Sequence, residues 1–79
     1  MKANFDAMIE ADNKRLVFNF MQVYYGSQLY YNVTIMVDNK PLLFRMKKVG
    51  EDNWKIAPQP IPNWIYDTET KLASAIKES

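Results

Sequence analysis

The stretches IEADNKRLVF (9–18) and IMVDNKPLLF (35–44) share Ile9/Ile35, Asp12/Asp38, Asn13/Asn39, Lys14/Lys40, Leu16/Leu42 and Phe18/Phe44. In both, apolar residues recur at every second place on either side of a polar Asp-Asn-Lys triplet. Period two marks a half-buried strand, and a short polar break between two such runs marks a β-hairpin. Reuse of one turn solution explains the match more simply than a duplication does. With Asn-Lys at the tip of each hairpin, Asn supplies the left-handed conformation that the turn needs.

Register tests this reading, because a slip of one residue turns every side chain to the other face. A two-residue loop at Asn13-Lys14 sets Ala11 opposite Leu16, Ile9 opposite Phe18 and Ala7 opposite Phe20. A second at Gly26-Ser27 sets Phe20 opposite Val33, Phe18 opposite Ile35 and Leu16 opposite Val37. A third at Asn39-Lys40 sets Val37 opposite Leu42, Ile35 opposite Phe44 and Val33 opposite Met46, and the longer VGEDN turn brings Met46 towards Ile56. Apolar residues meet at each step, so an antiparallel meander is expected over 3–12, 15–25, 28–38, 41–49 and 53–60. The competing reading of NFDAMIEAD is a short helix, since it is rich in helix formers.

Three of the four prolines stand at 58, 60 and 62, within APQPIPNWIY. In an extended strand, alternate residues point their N–H groups to the same edge, so these prolines remove donors from one edge only. Ala57, Gln59 and Ile61 keep the other edge free to pair. The fifth strand is therefore expected at the sheet's edge, with an outer side that cannot template another chain, and the run 58–62 continues as a stiff connector. Recognition of the run by a proline-binding domain is the lesser reading, because it lies between core elements.

Beyond the prolines, Ile65, Leu72 and Ile76 fall at helical spacing, with Thr68, Glu69 and Ala75 completing the stripe. A helix over 64–78 is expected, capped by Asn63 or Asp67. The fold class is α+β: a five-stranded antiparallel meander with one C-terminal helix packed on one face, in a single domain spanning 1–79.

Composition bounds the function. The 79 residues are 48% hydrophobic and 24% charged, which is ordinary for a globular domain. Ten basic and nine acidic residues leave a formal charge of +1, so any attraction to nucleic acid must be local. Histidine and cysteine are both absent, which removes the usual general base near neutral pH, the usual thiol nucleophile and the common zinc ligands. Asp12, Asp38, Glu51 and Asp52 stand at turns, and Asp67 and Glu69 at a helix start, where acids are expected on structural grounds. Two glycines make no phosphate-binding loop, and NVT at 32–34, a glycosylation-type triplet, falls inside a strand. No enzymatic activity, cofactor or metal is expected. The acids in MKANFDAMIEADNK argue against a signal peptide, and no run is long enough to span a membrane, so a cytoplasmic location without membrane binding is the default expectation.

The same register defines an outer face. Strand two offers Val17, Asn19, Met21, Val23 and Tyr25, strand three Tyr30, Asn32, Thr34 and Met36, strand four Leu43, Arg45 and Lys47, and strand five Lys55. A solvated sheet face is usually polar, whereas this one sets Val23 beside Tyr30 and Val17 beside Met36. Contiguous exposed apolar groups mark partners, so a homodimer or a protein partner is expected, with Val17, Met21, Val23, Tyr25, Tyr30 and Met36 as anchors and Arg45, Lys47 and Lys55 as a polar rim. The alternative partner is single-stranded nucleic acid, because basic groups interleaved with aromatic faces bind bases by stacking. Trp54 shares parity with Ile56 and Trp64 can cover the open end of the sheet, so both are assigned to structure.

Overall fold

A computed structural model describes residues 2–51 and 53–79. Its strands are β1 (Asn4–Ala11), β2 (Lys14–Tyr25), β3 (Gln28–Val37), β4 (Lys40–Val49) and β5 (Asn53–Ile56), followed by helices α1 (Asn63–Tyr66) and α2 (Glu69–Glu78). The strands form one antiparallel sheet in chain order, an α+β arrangement with its helical part at the C-terminal end. The segment NFDAMIEA is a strand, not a helix.

The first and third hairpins close one residue earlier than expected. Asp12 and Asn13 both have positive φ (52° and 60°), as do Asp38 and Asn39 (51° and 64°). Two successive left-handed residues define a type I′ turn, and Asp and Asn adopt that conformation more readily than Lys. The tips are therefore Asp-Asn, and Lys14 and Lys40 open the following strands. Moving a loop by one residue moves the pairing by two, so Ile9 faces Leu16, Ala7 faces Phe18, Ile35 faces Leu42 and Val33 faces Phe44. Every side chain keeps its expected face. The Gly26-Ser27 loop is as expected: Tyr25 pairs with Gln28 and Phe20 with Val33, with Gly26 at φ 63°.

Pairing is staggered along the sheet. β2 pairs with β1 through residues 14–21 and with β3 only through residues 19–25. The expected pairs Phe18–Ile35 and Leu16–Val37 lie past the end of that ladder, as does the expected Val17–Met36 neighbour pair, because the two Asp-Asn hairpins diverge there. Trp64 stands with Leu16, Met36 and Val37 around a cavity of about 300 Å³ at this opening. Such stagger curls a sheet, as in barrels. Phe18, Phe20, Val33 and Phe44, which share one face of the sheet, are fully or almost fully buried, and Ile65, Leu72 and Ile76 of the helices belong to the same buried cluster. The Phe5 and Phe20 rings stack at 4.6 Å, and Tyr31 meets the buried Trp54 edge-on at 4.9 Å.

β5 ends at Ile56, short of the expected 60. The Ala57 amide still reaches the Arg45 carbonyl at 2.9 Å, but Gln59 and Ile61 do not pair with β4. Instead the Tyr66 hydroxyl brackets Gln59, accepting from its amide at 2.9 Å and donating to its carbonyl at 2.6 Å, while Gln59 Nε2 occupies the Arg45 carbonyl. None of the three prolines lies within β5, and the strand's outward amide at Ile56 is met by a different group. Since Ala57 points at β4, the even residues point outward. The Ile56 amide donates to Glu69 Oε2 at 3.0 Å, and Pro58, next on that side, has no donor. The same alternation points Pro41 off β4, beyond the reach of β5.

The helix is also divided. Thr68 Oγ1 donates to the Ile65 carbonyl at 2.6 Å, a back-bond that competes with the helical ladder and separates α1 from α2. Neither Asn63 nor Asp67 caps: Pro62 and Thr68 hold the N-cap positions, without side-chain capping bonds. α2 touches the two edge strands, β1 and β5. Lys71 Nζ donates to the Glu10 carbonyl at 3.0 Å, opposite in direction to the Glu69 tie to β5.

Candidate interaction surface

The convex face carries the side chains of even-numbered β1 and β3 residues and odd-numbered β2, β4 and β5 residues. Its cross-strand rows follow from the register: Val23, Tyr30, Lys47 and Lys55 in one, Met21, Asn32 and Arg45 in the next, then Asn19, Thr34 and Leu43. All nine residues expected at the surface lie on this face. They do not form one site.

At one end is a polar and aromatic cluster. The Tyr25 and Tyr30 rings meet edge-on at 5.5 Å, and the Arg45 guanidinium lies over both, 4.3 Å from the Tyr25 centroid and 5.3 Å from that of Tyr30. Arg45 Nη2 donates to the Tyr25 hydroxyl at 2.8 Å and Nε to Asn32 Oδ1 at 3.4 Å. Arg45 is thus held by its own neighbours, by cation–π attraction and hydrogen bonds. Lys47 stands directly opposite Lys55, as expected. Like charges in that position repel.

The other end is apolar. Val17 is 53% exposed and Met36 56%, and Met21 is nearly as open. Val23 and Tyr30 are half-buried. Two exposed residues extend the patch beyond the expected set: Met8, paired with Val17, and Leu43, opposite Thr34. Met8 stands between Asp6 and Glu10 in a strand whose inner residues are Phe5, Ala7 and Ile9, so parity alone identifies it. Divergence of the hairpins leaves Met8, Val17 and Met21 on one side and Met36, Pro41 and Leu43 on the other. Asn19 Nδ2 donates to Asp6 Oδ1 at 2.7 Å within the first group.

Among the described residues, no three acidic groups come together to hold a metal ion, and no helix is long and apolar enough to cross a membrane. Tyr31 has a perturbed proton equilibrium. Burial pushes its phenol above the ordinary value, against a smaller opposing effect of the hydrogen bond with Gln22. Its hydroxyl donates to the Lys2 carbonyl at 2.7 Å, which makes it a tie between the core and the segment that leads into β1. Asp52, expected in the last turn, lies outside the described residues. Set beside known proteins, the chain matches no family model, and no curated protein or solved structure is significantly similar to it.

Proposed function

We propose that this chain is a small non-enzymatic interaction domain that docks a protein partner, foremost a second copy of itself, through the convex face of its sheet. The observation that carries the proposal is the exposed apolar set Met8, Val17, Met21, Met36 and Leu43 on a face that a solvated sheet fills with polar residues. In this reading the helix packs on the concave face, leaving the convex one uncovered; the burial of Leu72 and Ile76 with Phe20 and Phe44 supports that placement. Val17, Met21 and Met36 are the anchors, Val23, Tyr25 and Tyr30 flank them, and Arg45, Lys47 and Lys55 form the rim. A cytoplasmic setting without membrane attachment belongs to the same proposal and rests on the sequence alone.

The test is the solution mass by light scattering over about a hundredfold range of concentration around the micromolar level, where ordinary specific interfaces assemble. A dimer that Val17→Glu dissociates, with the far-ultraviolet dichroism unchanged, is the expected result. A dimer indifferent to Val17→Glu and Met21→Glu would remove the convex face from consideration.

A second reading, single-stranded nucleic acid, is favoured by the Lys47–Lys55 pair beside Tyr25 and Tyr30. Against it, Arg45 already covers the Tyr25 ring that a base would stack on. This reading expects an oligonucleotide to bind with a steep salt dependence that Lys47→Glu with Lys55→Glu abolishes. No binding at low salt would end it.

A further inference from the structure

The β1 edge of the sheet, unlike the β5 edge, is open. Ala3 accepts from the Gln22 amide at 2.7 Å in the β1–β2 register, so odd-numbered residues of this strand turn their backbone groups to β2 and even-numbered ones turn theirs outward. The amides and carbonyls of Asp6 and Met8 therefore point off the edge, and among the described residues no side chain hydrogen-bonds to them, although Glu78 of α2 lines the same cleft. The helix is tied past both ends of this stretch, through Lys71 to the Glu10 carbonyl and through Ser79 Oγ, which accepts from the Lys2 amide at 3.1 Å. Between the ties lies a cleft of about 540 Å³, with Phe5, Ala7 and Ile9 on its strand side and, on its helix side, Ser74 and Ala75 flanked by the charged Lys71 and Glu78.

We propose that this cleft binds an isolated extended segment of another protein, which adds to β1 as a sixth, antiparallel strand. Outward donors and acceptors on alternate residues match the backbone of an extended chain, the chemistry of strand addition. The segment's inward side chains are apolar and modest in size, because the cleft is walled by Ala7 and Ala75. Its outward side chains are basic. They come to lie beside Asp6 and Glu10 on the convex side, where Asp6 accepts from the neutral amide of Asn19. A second folded copy is disfavoured: pairing centred on Met8 sets Asp6 opposite the partner's acid at the position of Glu10, like charge against like. This site borders the convex face at Met8 but does not depend on docking there.

The test uses the full isotope-labelled chain and three end-blocked heptapeptides: alternating lysine and valine, the same peptide N-methylated at its lysine amides, and alternating glutamate and valine. In antiparallel pairing the lysine amides face β1. The unmodified lysine peptide is expected to slow amide exchange at Asp6 and Met8, and the methylated and glutamate peptides to bind at least about tenfold more weakly, as loss of a pair of hydrogen bonds or of charge complementarity implies. Equal affinity of the methylated peptide, equal affinity of the glutamate peptide, or no change at Asp6 and Met8 overturns the proposal. So does concentration-dependent protection of those two amides without peptide, which would assign the edge to a second copy.

Discussion

The conformations of four residues set the register of most of the sheet. Asp12, Asn13, Asp38 and Asn39 all lie in the left-handed region, which costs an ordinary L-residue about 1–2 kcal/mol and glycine nothing. Asn13→Gly and Asn39→Gly are each expected to raise stability by about 0.5 kcal/mol, the residual Asn strain less the greater chain entropy of glycine, whereas Asn13→Val lowers it by about 1–2 kcal/mol. Urea denaturation of the three variants checks this, and a loss of stability in both glycine variants would mean that the side chains, not the backbone, hold the turns. Tyr31 gives a prediction in pH. Its phenol is raised by burial, so the unfolded chain releases this proton near pH 10 and the folded chain only above that. In that window the unfolded state binds fewer protons, and stability falls as pH rises, while below it the contribution is complete. The decline in the urea midpoint above about pH 10 is expected to be shallower in Tyr31→Phe than in the parent protein; identical slopes would show that Tyr31 is not the group responsible.

Among the elements, α2 does more than cover apolar surface, since Glu69 satisfies the outward amide of the buried Ile56. Glu69→Ala is expected to cost about 1–2 kcal/mol, because that donor then has no protein acceptor, and Glu69→Gln less, because an oxygen remains. Equal stability of both variants and the parent, in the same denaturant series, would show that water replaces the carboxylate. This contact also shows why some elements were legible in the sequence and others were not. Face assignments survived a misplaced turn because a loop shifted by one residue changes pairing by two. The end of β5 was hidden, since it depends on the Tyr66 hydroxyl and the Gln59 side chain, groups whose positions come from tertiary structure. The helix break depends on a single Thr68 back-bond within an otherwise good apolar stripe. On the convex face, Val17, Met21 and Met36 followed from parity. The capture of Arg45 by Tyr25 and Tyr30 did not, because it requires two rings and a guanidinium from three strands to converge.

For the molecule as a whole, size links stability to association. Domains of this length bury a smaller share of their surface than larger ones, and their stability is correspondingly modest. The aromatic side chains Phe18, Phe20, Tyr31 and Phe44 are buried in the core, whereas the convex side leaves Met8, Val17, Met36 and Leu43 in water. If two copies cover those residues, unfolding consumes a dimer, and each tenfold rise in concentration adds about 0.7 kcal/mol per protomer. For a chain of this length that corresponds to a rise of roughly 3–6 °C in the thermal midpoint. The proposed self-association therefore predicts a midpoint that climbs with concentration in the parent protein and stays level in the double variant Val17→Glu, Met36→Glu. The variant's midpoint should meet that of the parent at high dilution, where both are monomers, because neither residue belongs to the core. A level midpoint in both proteins would assign the convex face to a foreign partner instead, and a variant less stable even at high dilution would mean that these side chains contribute to the fold of the single chain.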